Sequence, residues 1–352
     1  MKMMKAVAVM AKGTVKVVDN VPVPTMGDYD ALCRVHTCGF CSGTDFQIIH
    51  DKTEPQQGFS GFPTILGHEG VGEVIEVGKK VRHIKPGDRY IRPHLRDVGS
   101  GYTKTYGSMA QYGLVCDQKA MAEDGVCVET EVPFYKRQCA FPKTIPFEDA
   151  AVLLSLGECL SAAVNFGVKP GDRVLFYGAG PMGCALAMFM RLRGAGHITM
   201  IDGMAGRLAN AARIAHADRT IDLTKQDVNA ALAGEQFDLA VDAVGRSEIL
   251  LEASGRLKPG GKVCALGVLK SGDCMLDMSR FRSNTCLHML NFPYGEYDAL
   301  PEIIQLVETG AVNPKDFYSH IVPFENIQEA MELVASRRAF KVVLDISGCT
   351  KH

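Results

Sequence analysis

The fold of this chain is decided by the stretch KPGDRVLFYGAGPMG at residues 169–183. Its segment Asp172–Tyr177 has the apolar run of a buried strand, and Met182–Arg193 has the pattern of a helix. Three glycines with the spacing G-x-G-x-x-G join the two elements, at Gly178, Gly180 and Gly183. Because glycine allows a sharp turn and a close approach to the backbone, the stretch predicts a strand, a tight loop and a helix, the start of a βαβ unit.

The same loop has the features of a dinucleotide-binding site. Asp202 stands 19 residues after the last glycine, at the end of the next predicted strand, Ile198–Ile201, which completes that pattern. The pyrophosphate of NAD would lie at the free N–H groups that open the helix, around Pro181 and Met182. The Asp202 carboxylate would accept hydrogen bonds from the adenosine ribose and repel a 2′-phosphate, favouring NAD over NADP. Arg207 would lie beside the adenosine, although a generic turn with a solvated acid and an exposed arginine is the simpler alternative.

The two parts of the chain differ in pattern. Up to about residue 150 the chain is rich in Val, Gly and Pro, and its short alternating runs predict an antiparallel, partly barrel-like β region. From about Leu153 strands alternate with helices, which predicts a parallel sheet. The later predicted elements are Arg207–His216, Phe237–Ala243, Lys262–Leu266, Leu300–Thr309, Ile327–Ser336 and Lys341–Ile346. The predicted fold class is α/β, with a doubly wound parallel sheet and a β-rich domain.

Composition excludes several classes of protein. A chain of 352 residues suggests about two domains. Its 38 Lys and Arg against 40 Asp and Glu give a net charge of −2, without the basic excess of a nucleic-acid-binding protein. No segment has the ~18 apolar residues of a membrane span, and the apolar run Ala6–Ala11 is shorter than a signal peptide requires. We expect a cytoplasmic protein without membrane or nucleic-acid partners, whose twelve cysteines are reduced thiols.

Three short segments carry residues suited to a metal. They are GFCSGTD at residues 39–45, GHEG at residues 67–70 and LGECLS at residues 156–161. A thiolate, an imidazole and a carboxylate suit Zn²⁺, and catalytic zinc sites keep one position open. The candidate ligands are Cys41, His68, Glu69 and Glu158. Each residue also has a plain structural interpretation, as a small core residue, a buried histidine, a surface acid and a helix-end acid, and spacing alone does not choose between the two.

A wider set of segments resembles one enzyme family. It comprises GFCSGTD, LGHEGVGEVIEVG, the KPGDR turn at 85–89, GSMAQY, ECLSAA, the glycine-loop stretch, IDGMAGRLANAARIAHAD and the closing FKVVLDI. Over nearly its whole length the chain resembles the zinc-dependent medium-chain dehydrogenases, and within them the sorbitol, threonine and related polyol dehydrogenases. The resemblance implies a discontinuous GroES-like catalytic domain, residues 1–157 and 291–352, and a Rossmann NAD-binding domain, residues 158–290.

The resemblance also implies a role for each candidate residue. Cys41 and His68 would be zinc ligands, and Glu69 and Glu158 the third and fourth ligands, either exchanging or acting through the bound water. Asp45 would orient the ligating imidazole, as metal-bound histidines commonly require. Thr44 would carry the alcohol proton away. Relatives are dimers or tetramers, so a homo-oligomer is expected by analogy alone.

Two departures from the family pattern affect these expectations. The family has one residue between the cysteine and the hydroxyl residue, whereas here Ser42 and Gly43 intervene, so Ser42 competes with Thr44 for the proton relay. Many relatives also carry four close cysteines near positions 93–115, where this chain has none, Cys116 coming just after. We therefore expect one catalytic zinc and no structural zinc. Cys38 is then interpreted as a small packed residue rather than as the partner of Cys41 in a redox pair.

The predicted activity is reversible oxidation of a secondary alcohol to its ketone with NAD, on a polyol or related hydroxylated small molecule. Two alternatives remain, namely a zinc-free reductase of an activated double bond on the same architecture and a non-catalytic NAD-responsive binding protein.

Residues 92–106 replace the structural-zinc loop and carry a group of basic residues, Arg92, His94, Arg96 and Lys104. They would either meet an anionic group of the substrate or form a solvated loop. Residues 120–139 are predicted to be an insertion, a surface excursion or a subunit contact.

Overall fold

The computed structural model describes residues 2–52, 61–96, 98–99, 101–104, 106–126, 137–269, 272–273, 275–290 and 295–348. The strands are β1 (Met3–Ala11), β2 (Thr14–Pro22), β3 (Asp30–Phe40), β4 (Thr64–Ile65), β5 (Glu69–Val77), β6 (Arg89–Ile91), β7 (Thr103–Lys104), β8 (Tyr112–Cys116), β9 (Cys139–Phe141), β10 (Arg173–Tyr177), β11 (His197–Asp202), β12 (Arg219–Asp222), β13 (Phe237–Asp242), β14 (Leu257–Ala265), β15 (Cys286–Met289), β16 (His320–Pro323) and β17 (Val342–Asp345). The helices are α1 (Thr44–Ile49), α2 (Gln118–Glu123), α3 (Phe147–Ala150), α4 (Leu153–Phe166), α5 (Pro181–Leu192), α6 (Ala205–Ile214), α7 (Val228–Ala231), α8 (Ser247–Gly255), α9 (Leu300–Glu308) and α10 (Ile327–Ala335). Among these described helices, none is long and apolar enough to cross a membrane.

The chain divides into two units. The first unit is assembled from both ends of the chain, Met1–Leu154 and Leu300–His352, and the second is Ser155–Ala299. The domain boundaries proposed from the sequence, 157/158 and 290/291, lie close to these divisions. Of the proposed insertion at 120–139, the beginning belongs to α2 and the last residue starts β9, whereas residues 127–136 lie outside the described residues.

The first unit is built on two sheets. One has the strand order β2-β1-β4-β7, and the other has the order β16-β17-β3-β5-β6-β9, with β8 paired to β3. Most neighbours are antiparallel, as predicted, but the short pair β4–β7 and the C-terminal pair β16–β17 are parallel. The fully buried Phe40, Ile48 and Leu66 belong to one apolar core that also includes residues of β1, β17 and α10. This core supports the turn after β3 and the turn before β5.

The second unit is an α/β layer structure with a parallel sheet. Its strand order is β12-β11-β10-β13-β14-β15, and all of these pairs are parallel. Counted from β10, this is the order 3-2-1-4-5-6 of the Rossmann fold, so the predicted doubly wound sheet is confirmed. The glycine loop follows β10, and the strand order reverses at this strand. Folds of this kind bind their ligands at that point of the sheet.

Candidate active site

Strand register in the first unit brings the predicted ligands together. Strands β3 and β5 are antiparallel, and Gly39 on β3 pairs with Glu69 on β5. Cys41 comes two residues after Gly39, and His68 comes one residue before Glu69. In an antiparallel pair the end of one strand lies beside the start of its partner, so this register places Cys41 next to His68.

The side chains of Cys41, His68 and Glu69 form a compact donor cluster. One ligand atom from each lies within 4.8 Å of the others, and His68 Nε2 is 3.8 Å from Glu69 Oε1. His68 and Glu69 are buried, whereas Cys41 is half-buried and gives the cluster access from outside. A thiolate, an imidazole and a carboxylate are the donors that catalytic zinc sites use, with one position left open. The residues present therefore fit Zn²⁺.

Asp45 lies behind the imidazole of His68. Its Oδ1 is 3.6 Å from His68 Nδ1, and within the described part of the chain neither of these buried atoms has a hydrogen-bond partner. Asp45 Oδ2 accepts a hydrogen bond of 2.8 Å from the Cys41 amide, so one carboxylate contacts both ligand residues. Burial alone would lower the pKa of His68, but the nearby Asp45 carboxylate and Cys41 thiol outweigh burial and raise this pKa well above its usual value. The surroundings thus favour a positive charge at the imidazole.

Glu69 has a second partner that the sequence did not reveal. Lys341 Nζ lies 2.6 Å from Glu69 Oε2 and 2.8 Å from Oε1, and both residues are buried. The two side chains meet over Gly39, which has no side chain. A Cβ at this position would lie 2.1 Å from Glu69 Oε2 and 3.1 Å from Lys341 Cε. The register of β17, which pairs Val343 with Gly39, places Lys341 at this point. A lone lysine before an apolar strand was the one signal in the sequence.

The hydroxyl residues of the first turn differ in exposure. Thr44 is half-buried and begins α1, and its amide donates to Cys41 Sγ over 3.4 Å, whereas Ser42 is exposed.

Cys38 is fully buried in the core, and this burial holds the pKa of its thiol well above its usual value. A protonated, buried thiol is consistent with the packing role expected for Cys38.

Glu158 belongs to the second unit. It lies in the interior of α4, not at a helix end, and it is half-buried. Its role as a fourth ligand stays a prediction.

The predicted nucleotide loop forms as a tight turn between β10 and α5. Gly178 has a φ of +100°, which only glycine adopts readily. A Cβ at Gly183 would lie 2.2 Å from the Gly178 carbonyl oxygen, so the first turn of α5 packs directly on the loop. Pro181 is the first residue of α5, where its missing N–H costs no hydrogen bond, and Met182 follows it. Gly180 precedes the helix as its cap.

Asp202, the last residue of β11, stabilises this loop through hydrogen bonds. Its Oδ2 accepts a 2.9 Å hydrogen bond from the Ala179 amide, and its Oδ1 accepts one of 2.9 Å from the Met204 amide. Arg207 Nη1 lies 3.9 Å from Asp202 Oδ2. The two residues predicted to meet the adenosine are thus neighbours. The hydrogen bonds to the loop backbone were not predicted, because they depend on the packing of β11 beside β10.

Asp242 has a comparable position at the end of β13. It is fully buried and accepts hydrogen bonds from the amides of Val244, Gly245 and Arg246. Burial raises the pKa of Asp242 in spite of these hydrogen bonds. Sequence reasoning missed this residue, although an acid that closes an apolar strand, FDLAVD, was visible.

Two family models match the chain. The model for the alcohol dehydrogenase GroES-like domain matches residues 27–125, and the model for zinc-binding dehydrogenases matches residues 215–344. The first supports the predicted GroES-like domain in the N-terminal part of the first unit. The zinc-binding dehydrogenase model covers most of the second unit and much of the C-terminal segment of the first unit.

Several curated proteins are similar over nearly the full length. D-arabinitol dehydrogenase 1 of Uromyces fabae is 26% identical, with 92% of this chain and 91% of the relative covered. Sorbitol dehydrogenase of Rattus norvegicus is 25% identical, with 93% and 91% covered. L-threonine 3-dehydrogenase of Anaeromyxobacter sp. (strain K) is 28% identical, with 93% and 94% covered.

Solved structures have the same fold. A zinc-binding dehydrogenase from Sinorhizobium meliloti 1021, solved bound to NADP, has a TM-score of 0.77 at 26% identity and covers 98% of this chain and 100% of its own. An alcohol dehydrogenase from Thermus sp. ATN1 has a TM-score of 0.76 at 24% identity, covering 97% and 100%. Taken with the donor cluster and the nucleotide loop, these similarities support an NAD-linked alcohol dehydrogenase of the zinc-dependent medium-chain type.

Proposed function

We propose that this enzyme oxidises a secondary alcohol carbon of a polyol or related hydroxylated small molecule to a ketone, reversibly and with NAD. The observation that carries the proposal is the cluster of Cys41, His68 and Glu69 in a chain that also has the dinucleotide loop. Further support comes from the relatives, two of which are named for the polyols arabinitol and sorbitol. In the reaction the substrate carbon loses a hydride and its hydroxyl loses a proton, so the products are ketone, NADH and a proton.

Cys41, His68 and Glu69 would hold the metal, with Glu158 as a candidate fourth ligand. When bound, Zn²⁺ supplies a Lewis acid for the alcohol oxygen, and NAD supplies the hydride acceptor. Asp45 keeps the imidazole of His68 in a fixed orientation through the contact at Nδ1. Lys341 holds the Glu69 carboxylate against the Gly39 side of the cluster.

The proton of the alcohol needs a hydroxyl group beside the metal ligands. Thr44 is suited to this role because it is half-buried and its backbone amide already contacts Cys41 Sγ. Ser42 is exposed and is the alternative. Thr44→Val removes the hydroxyl with little change in volume, and Ser42→Ala is its matched partner. If Thr44 is the relay, Thr44→Val lowers kcat strongly and Ser42→Ala does not.

The glycine loop would bind the pyrophosphate of the dinucleotide through backbone N–H groups at the start of α5. Asp202 would favour NAD because a 2′-phosphate would meet its carboxylate. A homo-oligomeric state and a cytoplasmic location remain predictions that accompany this function.

The direct test is a panel of neutral polyols, their phosphates, hydroxy acids and simple secondary alcohols, assayed by NADH formation. We expect turnover of at least one secondary alcohol with NAD, and weaker turnover with NADP. The absence of NAD-linked turnover on the whole panel by zinc-loaded protein would contradict the proposed function.

A further inference from the structure

A small cavity in the first unit is lined mainly by basic side chains. Its lining residues are Arg92, His94, Lys104, Tyr106 and Arg137. Arg92 and His94 are only 4% and 6% exposed. Charged guanidinium groups are rarely buried unless they interact with other groups. Arg92 and His94 follow β6, Lys104 ends β7, Tyr106 follows it, and Arg137 precedes β9.

Strand pairing explains how these residues meet. Arg92 follows β6, and its amide donates to the Gly70 carbonyl over 2.6 Å. His94 forms a backbone bridge with Leu114. Lys104 pairs with Ile65, three residues before His68. The pairings of Arg92 and Lys104 place these two residues beside the segment that carries His68 and Glu69.

Tyr106 connects the basic cavity to the metal cluster. Its ring centroid is 5.6 Å from that of His68, and the Arg92 guanidinium carbon lies 4.4 Å from the Tyr106 ring centroid. Both Arg92 and Tyr106 have a positive φ, +65° and +74°. Non-glycine residues in this conformation are strained and are concentrated at functional sites. Two such residues on one cavity, one of them beside a candidate metal ligand, indicate a binding role.

The histidine of the cavity adds no positive charge near neutral pH. Burial first, and then the charges of Lys104, Arg92 and Arg96, lower the pKa of His94 to about 3, so its imidazole is neutral near pH 7. Arg96, which the sequence analysis grouped with the other basic residues, is not a lining residue and instead forms an ion pair with Asp30. Three of the four grouped residues thus line the cavity, and anion binding by them stays a prediction.

We propose that this cavity binds an anionic oxygen group of the substrate, a carboxylate or a phosphate, while the hydroxylated part of the molecule reaches the metal cluster. The proposal rests on the proposed function and narrows its substrate class to anionic hydroxy compounds. Guanidinium groups suit both anions because they present a planar fork of donors. The cavity volume of about 10 Å³ is near the space that one water needs, so the cavity would take an anionic oxygen and not the carbon chain.

The test compares three substrates of the same carbon skeleton, one neutral, one with a carboxylate and one with a phosphate. The proteins are the wild type, Lys104→Gln and Arg137→Gln, with Lys16→Gln as a control that removes an exposed lysine from β2. Both cavity residues are half-buried, so folding of these variants is more secure than that of an Arg92 variant. We expect kcat/KM of the wild type to favour one anionic substrate, and each cavity variant to lose that preference by roughly tenfold to a hundredfold. Lys16→Gln should keep it.

A second readout needs no turnover. Inorganic phosphate and acetate, at matched ionic strength, should raise the melting temperature of the wild type and of Lys16→Gln more than that of the cavity variants. The more effective ion identifies the anion. Equal kcat/KM for neutral and anionic substrates, or a preference unchanged in the cavity variants, would overturn the proposal while leaving alcohol oxidation intact. If no alcohol is oxidised, the proposed function fails and the ion measurement alone decides whether the cavity binds anions.

Discussion

Lys341 forms a buried ion pair with Glu69, one of the candidate zinc ligands, with 2.6 Å between Nζ and Oε2. Lys341 is 8% and Glu69 3% exposed. Burying two charges costs free energy, and the ion pair offsets this cost only while both partners are present. In the zinc-loaded enzyme the carboxylate would have a second positive partner. The cost of losing Lys341 should therefore depend on whether zinc is bound.

Lys341→Met should destabilise the metal-free protein by about 3–5 kcal/mol, because it leaves Glu69 buried without this partner. Zinc should reduce the loss, since binding to the folded state stabilises that state. Denaturant unfolding of chelated and zinc-loaded protein measures both effects. The matched control is Lys5→Met, which breaks the exposed Lys5–Glu325 pair and should cost less than about 1 kcal/mol. Equal effects of the two substitutions on the chelated protein would contradict this account of Lys341.

Asp45→Asn should weaken zinc binding by roughly 10–100-fold, because the carboxylate orients His68 and increases its basicity as a ligand. Competition with a chromophoric chelator gives the zinc affinity directly, without reference to turnover. Asp28→Asn, an exposed acid on the same unit, serves as the control. Unchanged affinity in Asp45→Asn would mean that the contact at Nδ1 has no role in metal binding.

Gly183→Ala should impair NAD binding and stability together, since the added methyl would lie 2.2 Å from the Gly178 carbonyl oxygen. Gly206→Ala is a close comparison in α6 of the same unit, where a Cβ meets nothing within 4 Å. There the change should be neutral or stabilising by up to about 1 kcal/mol, because alanine is the better helix former. Titration with NAD and thermal unfolding measure both variants. Normal NAD affinity in Gly183→Ala would contradict the tight packing of the loop on α5.

His94→Gln should change the pH dependence of stability. The folded imidazole has a pKa of about 3 and the unfolded one its usual 6.5. Between these values unfolding takes up a proton, so the free energy of unfolding falls by about 1.4 kcal/mol for each unit that the pH decreases. The variant lacks this contribution, and its stability should fall less steeply from about pH 6 to pH 4. Parallel curves for variant and wild type in denaturant unfolding would show that His94 is protonated in the folded chain.

Several elements of the second unit could be predicted because their signals are local, although β12, α7, α8 and β15 were missed. The strand before Gly178 and the helix from Pro181 follow from a run of apolar residues and the glycine spacing. The acid at the end of the next strand could also be recognised. Its hydrogen bonds to Ala179 and Met204 could not, since they depend on how two parallel strands align.

The metal cluster was predictable only in part. Cys41, His68 and Glu69 carry recognisable motifs, and their convergence follows from the register of β3 and β5. Lys341 lies 272 residues from Glu69 in the sequence, and nothing local indicates that β17 adds to the other edge of β3. The same applies to Arg137 in the basic cavity. Contacts that depend on strand pairing could not be predicted from the sequence. Residues within one turn of a motif could be.

We propose that Cys41, His68 and Glu69 form the zinc site of an NAD-linked alcohol dehydrogenase. The most direct test is to measure zinc by mass spectrometry in purified wild type, Cys41→Ser and His68→Ala, and NADH formation in the same samples before and after chelation. We expect about one zinc per chain in the wild type and loss of that zinc in both variants. Chelation should abolish turnover, and added zinc should restore it. Full turnover by metal-free wild type, or an undiminished zinc content in both variants, would contradict this proposal.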